Sequence, residues 1–218
     1  MRASILVING HPDPGPQRFC AAISDRYAQS IRQTGAKASR LDAGDWSLTG
    51  AGEFADGARQ ALSAAREAFA VADRIAVIFP LWLGEAPVSL RALLDAVCAA
   101  SPGVRTIKAI RIIVTMDLPA FFYAANDRAS GSRCNLRTAR LPHIVDEQHC
   151  FIGSVGSLSE DGRKRWLDRV AVDAVRDVER TQRAMRRAAW SRRLAHPLGG
   201  WAVSIPERRF QSEQVAQI

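Results

Sequence analysis

Short apolar segments closed by glycine, proline or polar turns alternate along this chain with longer stretches in which apolar residues recur at steps of three and four. Ser4-Ile5-Leu6-Val7-Ile8-Asn9, ended by Gly10, is a continuous apolar run of the kind buried on both faces of a parallel sheet. After the turn His11-Pro12-Asp13-Pro14-Gly15-Pro16, the spacing of Phe19, Ala22, Ile23, Tyr27 and Ile31 predicts a helix with Gly35 as its C-cap. Lys37 to Asp42 is a weaker strand, and residues 43–56, broken by Gly44, Gly50 and Gly52, read as loop. Ala58 to Ala72 is helical, and Arg74 to Phe79 is a second fully apolar strand whose pairing Pro80 is expected to end. Pro87 opens a helix with Leu90, Leu93, Leu94 and Val97 on one face, running to about Ala100, before a strand from Ala109 to Thr115. Met116 to Gln148 has little periodicity, His149 to Val155 reads as the fifth strand, and Ser159 caps a helix that continues through Trp166, Val170 and Val178 toward Trp190.

Strands alternating with helices dictate an α/β, doubly wound parallel sheet of five strands with helices on both faces, because parallel neighbours need long crossovers. Residues 1–180 form the expected core domain; residues 181–218 form a basic helix end and an extended arm with His196-Pro197-Leu198-Gly199-Gly200.

Composition narrows the class. With 47% apolar and 24% charged residues in 218, the chain has the balance of a folded domain, which excludes a disordered one. No apolar run approaches the roughly 20 residues of a membrane helix, and the start runs straight into a strand, so a cytoplasmic protein without membrane insertion is expected. Cys20, Cys98, Cys134 and Cys150 form no CxxC pair and read as reduced thiols. Alternation places His149 and Cys150 on opposite faces of their strand, so no shared metal is expected of them with His143. The net charge of +8 concentrates in residues 160–218, with 13 basic against 8 acidic residues. Arg176, Arg180, Arg183, Arg186, Arg187, Arg192 and Arg193 are spaced along a helix with Asp173, Asp177 and Glu179 interleaved, a solvated face that leaves nucleic-acid binding the last-ranked reading.

Three loops sit where ligands of such sheets bind, beyond the carboxyl ends of the strands. The first, His11 to Cys20, leads into a helix N-terminus and offers amides near Gln17, Arg18 and Phe19 to a phosphate, though it lacks GxGxxG and GxxxxGK[ST]; an ordinary proline-rich turn is the alternative. The second, Pro80-Leu81-Trp82-Leu83-Gly84-Glu85-Ala86-Pro87, offers Trp82 as a floor for a flat aromatic ring or as cover for a helix end. The third starts at Thr115 and reaches Phe121-Phe122-Tyr123, with ring area and one phenol donor. No GxSxG elbow supports serine catalysis.

The order of Gly10-His11-Pro12, then Phe79-Pro80-Leu81-Trp82 with Pro87 and Leu90-Arg91-Ala92-Leu93-Leu94-Asp95, then Thr115 with Tyr123, resembles the flavodoxin-like NAD(P)H:quinone oxidoreductase family over about residues 3–175. The resemblance implies a flavodoxin-like sheet of order 2-1-3-4-5, binding FMN or FAD non-covalently, with NAD(P)H as cosubstrate and a quinone-like acceptor. It implies a flavin phosphate at the first loop, with His11, Gln17, Arg18 and Phe19. It further implies isoalloxazine contacts from Pro80, Leu81, Trp82, Leu83 and Gly84, amides from Thr115, Met116, Asp117 and Leu118, and Tyr123 on the substrate side. It implies a homodimer whose second subunit completes the pocket through Pro119 to Asn135 and the carboxyl arm. The chain departs from the family pattern at Gln17, Cys20, Asp117, Leu118 and Ala129. Those departures motivate the alternative of a flavodoxin-fold regulatory protein with a decayed flavin site, acting on a partner protein such as a membrane transporter.

Overall fold

A computed structural model describes residues 2–46, 58–100, 109–119 and 144–195. Within them the chain alternates as expected: β1 (Ser4–Asn9), α1 (Phe19–Gln33), β2 (Lys37–Asp42), α2 (Ala58–Ala70), β3 (Arg74–Pro80), α3 (Val88–Ala100), β4 (Ala109–Thr115), β5 (Asp146–Ile152) and α4 (Glu160–Ala195). All pairings are parallel, in the order β2-β1-β3-β4-β5. The C-cap of α1 is Thr34, one residue before the expected Gly35, which follows with φ +82°.

The alternation of each strand sorts side chains into two cores. Leu6, Ile8, Ile75, Val77, Ile110 and Ile112 meet Phe69 of α2 and Leu90, Leu93 and Val97 of α3. Ile5, Val7, Ala76, Ile78 and Ile113 face the other way, onto Ile23, Tyr27 and Ile31 of α1 and Val170, Ala174 and Val178 of α4. Central β3 is buried at all seven positions, which is why Ile75 to Phe79 reads as an unbroken apolar run.

Two local expectations change. Pro80 does not end the pairing of β3: it lies opposite Thr115, and the Leu81 N–H still donates to the Thr115 carbonyl at 2.8 Å. Gly10 N–H donates to Ile78 O, so even-numbered positions of β3 face β1 and odd ones face β4; the donor that proline lacks is lost on the β1 side only, where β1 is ending. The fifth strand lies three residues earlier than His149 to Val155 suggests. It is an edge strand, and Asp146, Glu147 and Gln148 are only partly buried, so its first half carries no apolar signal although every residue pairs with β4. Ser154, with φ 55°, then turns the chain into the 3-10 turn Val155–Ser157.

Ser159 caps α4 by accepting the Gly162 N–H at 3.1 Å, with Glu160 and Asp161 in the first turn. The helix then runs unbroken across residue 180, about 54 Å in all at 1.5 Å per residue. It is pinned to the sheet by a buried polar cluster. Asp177 accepts from Arg111 Nε (2.7 Å) and Nη2 (2.9 Å) and from Tyr27 Oη (2.6 Å), while Arg74 donates to Thr181 Oγ1 at 3.0 Å and pairs with Asp146. Burial, then the Asp177 charge, push the Tyr27 phenol well above its ordinary pKa, so it stays a donor. Among the described residues no helix is long and apolar enough to cross a membrane.

Candidate functional site

The β1 and β3 strands send their following helices to opposite faces of the sheet, and the crevice this leaves at their carboxyl ends is where open parallel sheets bind ligands. The loop after β1 is shaped by its own side chains. Buried Asn9 donates to Asp42 Oδ1 (2.7 Å) and accepts the His11 N–H (3.3 Å); His11 Nδ1 accepts the Asp13 N–H (3.0 Å), and Asp13 Oδ1 accepts the Gly15 N–H (2.9 Å). Gly10 lets this loop lie against β3: a Cβ there would sit 2.8 Å from Phe79 Cβ and 2.7 Å from Leu90 Cδ2. Burial lowers the His11 pKa, reinforced by the Arg18 charge and only partly offset by Asp13. The ring is therefore neutral at pH 7, and with Nδ1 accepting, its proton sits on Nε2.

The first turn of α1 contains no acidic residue, and its N-cap Arg18 makes no capping hydrogen bond through its side chain. Among the described residues the amides of Gln17, Phe19, Cys20 and Ala21 have no acceptor. Free amides, a helix dipole and nearby guanidinium groups together favour an anion. Arg18 is held by Asp13 at 2.7 Å, and Arg163, from the first turns of α4, lies 5.3 Å from the Phe19 ring centre and donates to Val155 O.

Across the crevice, Trp82 and Glu85 exchange backbone hydrogen bonds (3.1 and 2.9 Å) around Leu83 and Gly84, both at positive φ, a tight turn that presents the indole half-exposed. His11 meets Trp82 edge-on, 5.7 Å between ring centres. At the end of β4, Met116 N–H is taken by Ile152 O, while the amides of Asp117 and Leu118 have no acceptor among the described residues. The Asp117 carboxylate accepts the Gly156 N–H at 3.2 Å, which commits one of its oxygens to the β5 loop.

These elements enclose a cleft of about 340 Å3, within the size range of small-molecule sites. Ten residues expected from the sequence line it: His11, Gln17, Arg18, Phe19, Pro80, Leu81, Trp82, Thr115, Met116 and Asp117. Leu83, Gly84 and Leu118 do not. The left-handed turn throws the Leu83 side chain entirely into solvent, Gly84 has no side chain to offer, and the Leu118 side chain is exposed while its amide stays available. Tyr123 lies outside the described residues, as do Cys134, His143 and the carboxyl arm.

Three lining residues were not expected as contributors: Cys20, Val155 and Arg163. Cys20 Sγ lies 3.3 Å from Thr115 Oγ1, and burial pushes its thiol up to about 11, so it is a neutral floor group. Arg163 had a signal, since the first turn of a helix following the last strand returns to this same end of the sheet. The arrangement can take an anion at α1, a flat apolar group against Trp82, and polar edges at the Asp117 and Leu118 amides.

A family model described as flavodoxin-like fold (Flavodoxin_2) matches residues 3–136, more than half of the chain. Among solved structures, an NAD(P)H:quinone oxidoreductase from Methanothermobacter marburgensis is 13% identical, with a TM-score of 0.62 over 80% of this chain and 98% of that one. An FMN-dependent NADH-azoreductase from Bacillus anthracis, in complex with FMN, is 12% identical, with a TM-score of 0.59 over 81% of this chain and 99% of that one. An azoreductase from another strain of Bacillus anthracis is 14% identical, with a TM-score of 0.55 over 79% and 98%. At these identities the likeness is one of fold. No curated protein matches the sequence significantly.

Proposed function

Because the chain belongs to the flavodoxin-like fold family, we propose that it is a flavin-dependent oxidoreductase that holds FMN in this cleft and passes two electrons from NAD(P)H to a quinone-like acceptor. One observation carries the reading: an uncapped helix N-terminus without acidic residues and an aromatic wall with free backbone donors converge on one cleft at the β1/β3 switch point. FMN is also the cofactor bound by the Bacillus anthracis azoreductase of the same fold.

The residues suit the group. The amides of Phe19, Cys20 and Ala21, with Arg18 and Arg163 beside them, would hold its phosphate; Trp82 and Leu81 would bound the ring; Asp117 and Leu118 N–H would meet the ring's polar edge. When bound, flavin supplies the two-electron hydride chemistry. The chain binds and orients it, and His11, neutral with its proton on Nε2, gives a fixed donor without adding charge. Tyr123 is assigned to the acceptor side. A homodimer in the cytoplasm belongs to the same reading, with exposed Leu118 at the cleft rim as an apolar contact.

Purified protein is expected to be yellow, with flavin absorbance that bleaches when NADH or NADPH is added without oxygen, and to run at twice the chain mass in light scattering. Protein that stays colourless after incubation with FMN would favour the regulatory reading that Gln17, Cys20 and Asp117 raise.

A further inference from the structure

One face of the 36-residue α4 packs on the domain: Val170, Ala174, Val178 and Thr181 are buried along it. On the opposite side a row at alternating steps of four and three is exposed throughout: Arg165, Arg169, Val172, Arg176, Glu179, Arg183, Arg186 and Trp190. The row is about 37 Å long, with exposed Arg187 beside it. Its charge stands uncompensated because the other acids of this stretch are engaged away from it. Asp177 is buried against Arg111, Asp168 pairs with Arg26 of α1 at 3.2 Å, and mostly buried Asp173 approaches Arg176 only to 3.7 Å. Arg165, Arg169, Arg183, Arg186 and Arg187 form no ion pair among the described residues. Glu179 is the single acid in the row, against six arginines.

An independent observation is the apolar surface on this same basic face. Val172 is 49% exposed and Trp190 is 66% exposed, and both lie on the line of the arginines. Near the start of the row a cleft of about 320 Å3 is lined by Leu158, Gly162, Arg165, Trp166 and Arg169, with the Arg169 guanidinium 5.5 Å from the Trp166 ring centre. Guanidinium groups beside an apolar floor match a phosphate that carries a hydrocarbon body. A straight basic row that also exposes tryptophan and valine matches a flat anionic surface with an apolar interior. Like charge disfavours the same face of a second copy. Nucleic acid would use the arginines but leave Val172 without a role, and Arg169 already occupies a face of the Trp166 ring on which a base would stack.

We infer that the outward face of α4 is a docking surface for an anionic phospholipid bilayer, to which the chain adsorbs without spanning it. The arginines meet headgroup phosphates and carboxylates, and Trp190 and Val172 sit at the boundary between headgroups and acyl chains. The inference goes beyond the flavin reading and rests on α4 alone.

The test is co-sedimentation of the full chain with phosphatidylcholine vesicles, with and without about a third of phosphatidylserine, beside duplex DNA in the same buffer. Binding is expected to the anionic vesicles only, and to be lost near 1 M salt, where charges are screened beyond about 3 Å. Replacing Arg183, Arg186 and Arg187 together by glutamine should weaken it about a hundredfold, and the same three as lysine should restore it, since the attraction follows charge. Trp190→Ala should weaken it about fivefold. All these positions are exposed, so the Tm should not move. Arg66→Gln with Arg91→Gln, on α2 and α3 across the sheet, should change binding less than about twofold, which separates this face from net charge. Equal binding to both vesicle types, no binding to either, or tighter binding per phosphate to duplex DNA overturns the inference, as does binding that ignores the glutamine triple or Trp190→Ala.

Discussion

Leu83 occupies a conformation that L-residues avoid, φ 51° beside Gly84 at φ 83°, with its side chain fully in solvent. No packing offsets that strain, of about 1–2 kcal/mol, and tight hairpin turns of this kind favour asparagine before glycine. Leu83→Asn is therefore expected to raise stability by about 1 kcal/mol and the Tm by about 2–4 °C, measured by thermal denaturation. Cys20 gives a pH signature of opposite sign. Burial holds its thiol protonated up to about 11 in the folded chain, while the unfolded thiol titrates near 9.0. Between those values the unfolded state sheds a proton that the folded state keeps, so stability falls as pH rises through that interval. Urea midpoints at pH 8, 9.5 and 11 should show the fall, and Cys20→Ala should remove part of the slope, the Tyr27 phenol keeping the rest. Neither residue's role was legible from its neighbours in sequence. Gln17, Arg18 and Trp82 announce themselves through their loops, but Cys20 and Arg163 matter because Thr115 and Phe19 arrive beside them from elsewhere in the chain.

At the scale of elements, β1, α1, β3, α3 and β4 follow from local pattern because each buries a continuous stripe or both faces of a strand. β5 does not, since an edge strand with Asp146, Glu147 and Gln148 at its start looks like loop until its partner is known. The docking of α4 was equally hidden. Arg74 and Arg111 stand inside strands that are otherwise apolar, which signals a buried counter-ion without saying where it lies; Asp177 is 66 residues beyond Arg111. Asp177 was read from its spacing as part of a solvated face, yet it is wholly buried. Replacing it with alanine leaves two buried guanidinium groups with less counter-charge and the Tyr27 hydroxyl without its acceptor. Asp177→Ala is expected to cost about 3–5 kcal/mol in chemical denaturation, whereas a surface acid such as Asp168, paired with Arg26 at 3.2 Å, should cost under about 1 kcal/mol.

For the whole molecule, the sheet order decides where chemistry can occur. Reversing the winding direction between β1 and β3 opens one crevice, and three loops with separate local reasons for their shapes meet there. The proline-rich loop is fixed by successive side-chain acceptors, the tryptophan turn by its two reciprocal backbone bonds, and the β4 loop by Ile152 and Gly156. The result is a site whose main-chain donors are in place before any ligand arrives, so binding should cost little ordering. The most direct measurement is a titration of flavin-free protein with FMN, followed by quenching of flavin fluorescence. Saturation at one FMN per chain with a Kd in the micromolar range or below is the result this site predicts; emission that rises in proportion to added FMN, with no saturable component, would contradict it.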